Sequence, residues 1–205
     1  MSKQTKFMIV IAMIAATAGI IMSNNHFNSK PVLEFKALLE YPTKKSFSGF
    51  ELTNQDNEKI SIDDFNGKWT LLFFGFTHCP DVCPTTLTEL QKVFKLIDTK
   101  EKPEVLFVSV DPERDTPSLL KEYTAFFNPH FKSATSDPAN ILAITSQVGV
   151  AFHIGEHEPN DLNYTVDHTA AIFLVNPDKQ LYGLFRSPHD ANNIANDLML
   201  LLDNK

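Results

Sequence analysis

The 205-residue chain is poor in residues that staple or cluster: it has two cysteines, one tryptophan and seven glycines. Two cysteines cannot build a disulfide scaffold or a four-thiolate zinc site, so a metal held by sulfur must take its remaining ligands elsewhere. Positive charge is scattered, with Lys44-Lys45 as the basic pair, and the formal net charge is −7. Without a basic face there is no footprint for a phosphate backbone, which excludes a nucleic-acid partner. Internal repeats and low-complexity tracts are also missing. What is present is ordinary for one globular domain plus an appendage: 43% hydrophobic and 21% charged residues. The 17 Phe against 4 Tyr predict a Phe-rich core.

The appendage is N-terminal. Residues 1–6 carry Lys3 and Lys6 without an acid, and Phe7–Met22 then run uncharged. This pattern predicts export, by a single-pass signal anchor or by a cleaved signal peptide with Phe7–Ala15 as its apolar region and Ala16-Thr17-Ala18 as a cleavage site. The first places the domain on the periplasmic side of the inner membrane, the second leaves it soluble in the periplasm. A buried core helix fits the basic start poorly, and no cysteine follows the run to carry a lipid. Residues 23–46 read as a polar stalk, and 47–205 as the folded domain.

Within that domain, Phe47–Leu52 and Ile60–Ile62 predict an opening hairpin. Thr70–Phe76 is a continuous apolar run, as expected of a strand buried on both faces, and Val105–Val110 is a second. Between them Leu87, Leu90, Val93, Phe94 and Ile97 mark one helix face, with Thr86 and Glu89 as a candidate capping box. Thr116-Pro117, Asp137-Pro138 and Ser187-Pro188 each place a capping residue before a helix-opening proline, predicting helices to about Phe127, Gln147 and Leu202. Ala170–Val175 and Leu181–Arg186 form a hairpin across Asn176-Pro177-Asp178-Lys179. Parallel crossovers, then an antiparallel pair and a closing helix, predict a mixed α/β sheet of the thioredoxin-like kind, with an insertion at Ala151–Asn163 before the final hairpin.

His78-Cys79-Pro80-Asp81-Val82-Cys83-Pro84 follows the first buried strand and opens a helix. Free backbone N–H groups and the positive end of the helix dipole favour a thiolate there. Three residues between the cysteines leave room for a disulfide or for two sulfurs converging on an ion. Two thiolates suit Cu(I), a soft ion content with few ligands, with Cu(II) as the alternative state of the metal. A third ligand must come from His26, His78, His130, His153, His157, His168 or His189. His26 lies in the stalk, His130 and His189 lie beside polar turns where solvation is expected, and His78 points away from its neighbour Cys79. His168 precedes the strand Ala170–Val175, where a thioredoxin-like chain would face its cysteine turn with a proline; none occurs between Pro159 and Pro177. A hydrogen-bonded loop histidine is the alternative, and Asp167 is a candidate for orienting the site.

Three segments together are similar to the Sco/SenC family of copper proteins: Gly75-Phe76-Thr77-His78-Cys79-Pro80-Asp81-Val82-Cys83-Pro84, Val110-Asp111-Pro112-Glu113-Arg114-Asp115-Thr116-Pro117, and Val166-Asp167-His168-Thr169. The resemblance spans about residues 45–203. It implies a thioredoxin-like domain that binds copper through Cys79, Cys83 and His168 and serves the dinuclear copper site of a cytochrome c oxidase subunit, with a separate copper donor and thiol reductant. In the middle segment Arg114 is expected to pair with a neighbouring acid and to play no direct part in metal binding.

Three functions compete on these residues. A copper chaperone uses both cysteines and His168. A thiol–disulfide oxidoreductase that keeps oxidase cysteines reduced uses Cys79 and Cys83 as its redox pair and has no need of His168. A peroxidase of the P-x-x-x-T-x-x-C type finds Phe76 and Pro80 before Cys83, or Leu72 and Phe76 before Cys79, and fails on both.

Overall fold

The computed structural model of the chain describes residues 3–27, 33–99, 101–158, 161 and 163–203. It divides into two units, Met1–Glu34 and Phe35–Lys205. The first contains helix α1 (Lys3–Phe27). Among the described residues no helix is long and apolar enough to cross a membrane, so the expected membrane anchor is not supported. The uncharged stretch rises only about 24 Å at 1.5 Å per residue, against a hydrocarbon core of ~30 Å. Of the expected stalk, residues 28–32 lie outside the described residues.

The second unit carries β1 (Leu38–Ser46), β2 (Leu52–Asn54), β3 (Lys59–Ile60), β4 (Thr70–Gly75), α2 (Val82–Leu96), β5 (Glu104–Ser109), α3 (Pro117–Phe127), β6 (Lys132–Thr135), α4 (Pro138–Val148), β7 (Phe152–Ile154), β8 (Val166–His168), β9 (Ile172–Val175), β10 (Gln180–Phe185) and α5 (Ala191–Asp203). Eight strands form one sheet in the order β1-β10-β9-β4-β5-β6-β2-β3, and β7 and β8 form a separate ribbon. β4, β5 and β6 are parallel, joined by crossovers through α2 and α3, while β9 and β10 are antiparallel. This is the thioredoxin-like arrangement expected from the element order. Every residue of β4 is buried, which accounts for its unbroken apolar run. Phe73, Phe74, Phe107, Phe173 and Phe185 are among the largest fully buried side chains, so the core is Phe-rich as composition predicts.

Several expectations change. Residues 38–46, read as stalk, form an edge strand against β10 whose register slips between Glu40 and Lys45, around Pro42. Their approach is fixed by Asp197, a fully buried carboxylate in α5 that accepts the backbone N–H groups of Lys36, Ala37 and Leu38 at 2.7–3.1 Å. The opening hairpin is shorter than expected, pairing Leu52 with Ile60 and Thr53 with Lys59. Phe47 and Phe50 instead stack in a cluster with Phe65. β6 has no counterpart among the expected strands. Thr116 and Asp137 cap α3 and α4 as expected. α5, however, begins at Ala191 rather than at Pro188, with the Asp190 carboxylate accepting the Asn193 N–H at 2.8 Å. The segment expected as an insertion, Ala151–Asn163, holds β7 and most of the connection toward β8, of which Pro159, Asn160 and Leu162 lie outside the described residues.

Candidate metal centre

The site forms where β4 ends and α2 begins. The N–H of Cys79 donates to the Phe76 carbonyl at 3.3 Å, closing the turn. Asp81 is the N-cap of α2 but its side chain makes no capping bond. The sulfur of Cys79 takes that place, accepting the Cys83 N–H at 3.3 Å, so one of the unpaired helix-start donors is spent on a thiol sulfur. The expected Thr86–Glu89 capping box does not form, because α2 starts four residues before Thr86. Thr86 is buried inside the helix, its Oγ1 3.4 Å from Nδ1 of His189. Gly75 permits the tight approach of helix to strand: a Cβ there would lie 2.6 Å from Cys83 Sγ and 2.8 Å from Cε2 of Phe107.

His168 arrives from the other direction as the last residue of β8, paired across the ribbon with Phe152. Its Nδ1 lies 3.1 Å from the Thr169 carbonyl. A carbonyl oxygen only accepts, so Nδ1 carries the proton and Nε2 presents a lone pair. That Nε2 lies 3.2 Å from Cys83 Sγ. The ring is held edge-on between Phe73 and Phe76, with centroid distances of 6.1 and 5.9 Å. The donor atoms of Cys79, Cys83 and His168 all fall within 4.8 Å of one another. Cys83 is fully buried and the other two are half-buried. Both thiols are free. The group opens into a cavity of about 480 Å³ lined by residues of the cysteine turn and of Tyr164–His168. Two sulfurs and one unprotonated imidazole nitrogen, with one face open, fit a soft metal ion of low coordination.

The two cysteines behave as one coupled pair. A hydrogen bond from the Cys83 side chain is the largest influence on Cys79 and holds its thiol far below the ordinary range, down to about 3; smaller contributions come from backbone donors. Cys83 moves upward for the reciprocal reason, reinforced by burial. Thiolate character is therefore favoured at the outer sulfur, Cys79, and the proton at the inner one.

The remaining candidates separate cleanly. His78 is exposed and bonded to Thr77 Oγ1 at 3.1 Å, outside the cluster. His130 is exposed and stacks on Phe94, and His153 is exposed in the ribbon. His157 bonds Glu113 at 2.9 Å. His189, expected to be solvated, is half-buried against α2, and burial depresses its basicity. Asp167 is exposed and pairs across the ribbon with His153; the Thr169 carbonyl, not Asp167, orients His168. Arg114 pairs with Asp111 in a buried ion pair, as expected. Sequence reasoning missed that this segment contacts both sides of the site, through Asp115 to Thr77 and through Asp111 and Arg114 to Tyr164.

Comparison with known proteins places this geometry among relatives. A family profile described as SCO1/SenC matches residues 40–203. The chain is 30% identical over 176 residues to an SCO2-like protein of Rickettsia felis, covering 85% of each. Its fold is similar to the copper-bound crystal structure of Arabidopsis thaliana ScoI, with TM-score 0.71 and 31% identity over 78% of this chain and 100% of that one. It is also similar to the copper-bound structure of Bradyrhizobium japonicum ScoI, with TM-score 0.67 and 38% identity over 76% and 99% of the two chains.

Proposed function

The chain belongs to the SCO1/SenC family, and from that premise we propose that it is a copper chaperone, carrying one copper ion on Cys79, Cys83 and His168 to the dinuclear copper centre of a cytochrome c oxidase subunit. The observation that carries the proposal is His168. Its Nδ1–H is committed to the Thr169 carbonyl and its Nε2 lone pair faces Cys83 at 3.2 Å, an arrangement that disulfide chemistry does not require. Two of the similar solved proteins are described as having copper bound. Copper is cargo here. Three ligands and an open face hold a soft ion while leaving room for a partner's thiolate to enter the coordination shell. Residues 1–22 act as the export signal that delivers the domain to the non-cytoplasmic side.

A second reading rests on the thiolate of Cys79. With its thiol held near 3 and Cys83 alongside, Cys79 can attack a partner's disulfide, and Cys83 can then resolve the mixed disulfide, leaving the partner reduced and this pair oxidised. The variant His168→Ala separates the two. As a chaperone it loses most copper retention and fails to support oxidase assembly at limiting copper, while its copper-free melting temperature stays near wild type. As a reductase it behaves like wild type and only the cysteine variants are dead. Normal copper affinity together with normal oxidase activity in cells removes His168 from the site and returns the oxidoreductase to first place.

A further inference from the structure

Five consecutive residues, Asp111–Asp115, lie between β5 and α3 and reach both halves of the metal site. On the cysteine side, Asp115 is fully buried and accepts the Thr77 N–H at 3.0 Å and the Thr77 hydroxyl at 2.6 Å, two residues before Cys79. The Ser109 hydroxyl donates to the same carboxylate at 2.5 Å and accepts the Asp111 N–H at 3.0 Å, tying the two acids together. On the histidine side, the fully buried Asp111 holds Arg114 in an ion pair and accepts the Tyr164 hydroxyl at 2.6 Å. Arg114 donates to the Tyr164 carbonyl at 3.0 Å and lays its guanidinium 3.7 Å from the Tyr164 ring centroid. The same guanidinium lies 5.4 Å from the ring of Phe76, whose own ring meets His168 edge-on. Tyr164 is four residues before His168, on the connection that enters β8.

The ribbon bearing His168 has three residues in each strand, and a two-stranded ribbon of that size has marginal stability alone. The position of the histidine must therefore come from a tertiary anchor, and the Asp111–Arg114–Tyr164 cluster supplies one. A buried ion pair contributes little to net stability once its desolvation is counted, and its best-attested use is to fix register.

We infer that Asp111, Arg114, Asp115 and Tyr164 are positioning residues for the metal site: the segment after β5 braces the cysteine turn and the histidine ribbon at a fixed separation before the metal arrives. The inference rests on the copper reading above for its affinity test, and its other test needs no metal. Tyr164→Phe removes only the hydroxyl bonded to Asp111. In the purified full-length protein under anaerobic conditions, this variant should bind Cu(I) about 10- to 100-fold more weakly, the usual consequence of losing a partner behind a ligand. Because the hydroxyl acts through His168, the same change in a His168→Ala background should have no further effect. In the copper-free protein the Thr169 N–H, bonded to the Ala151 carbonyl at 2.9 Å, should exchange faster in Tyr164→Phe, while the Leu120 N–H at the start of α3 keeps its protection. Arg114→Lys, which keeps the charge and loses the planar stacking, runs through the same cycle if Tyr164→Phe does not fold. An equal loss in both backgrounds, an unchanged affinity, or unchanged Thr169 exchange overturns the brace. Wild-type protein that takes up no Cu(I) fails the copper reading alone, and the exchange comparison still decides the brace.

Discussion

Cys79 and Cys83 share one chemistry but are shifted in opposite directions, since the half-buried outer sulfur accepts hydrogen bonds while the buried inner one donates. A group whose thiol is held down to about 3 is ionised at every pH above that value, so its reactivity follows no ordinary thiol titration. The alkylation rate of Cys79 by iodoacetamide should be flat from pH 5 to 8 and fall only as pH approaches 3, with Cys83 unmodified in the folded protein. A Cys79 rate that rises tenfold per pH unit up to pH 8, as for an unperturbed thiol, contradicts the coupled pair. Coordination by both sulfurs must displace the proton on Cys83, so uptake of Cu(I) at pH 7 should release about one proton from the pair in a weakly buffered titration. The three residues positioned to bind a metal were legible in the sequence because cysteine spacing, a strand-to-helix junction and a histidine before a strand are local signals. The proton on Nδ1 of His168 and the burial of His189 were not, because each depends on a neighbour supplied by the fold.

Elements with a strong local signature are those that reading the chain located. β4 and β5 announce themselves by unbroken apolar runs, and α3 and α4 by a capping residue before proline. β6 is Lys-Ser-Ala-Thr, with no bulky apolar side chain to mark it, and exists because it pairs with β5 on one side and β2 on the other. β1 is polar and contains Pro42, so its strand character comes from the free edge of β10 and from the clamp of Asp197. That clamp gives a stability test. Asp197→Ala leaves three backbone donors without their acceptor and should cost about 2–4 kcal/mol in urea unfolding. The N–H groups of Lys36, Ala37 and Leu38 should lose protection first. An unchanged midpoint would show that β1 docks through its side chains alone. Ser187-Pro188 imitates a helix start without being one, since the Asp190 carboxylate caps α5 instead.

Across the folded domain, the sheet brings together a turn and a ribbon whose Cys83 and His168 stand 85 positions apart in sequence. β4 ends at the cysteine turn, β5 ends at the bracing segment, and the ribbon returns into β9 beside β4. All three segments that carry the family resemblance therefore converge at one end of the sheet, which is why the candidate site was visible in the sequence while the contacts behind it were not. Each segment was visible, but the contacts among them are long-range. The central claim is that both sulfurs and the imidazole act on a single ion. An anaerobic Cu(I) titration of the full-length protein against a chromophoric competitor tests it most directly, with wild type beside Cys79→Ala, Cys83→Ala, His168→Ala and the double cysteine variant. The account predicts one copper per wild-type chain, markedly weaker retention in His168→Ala and in either single cysteine variant, and none in the double variant. Undiminished binding in the chain lacking both cysteines would contradict it.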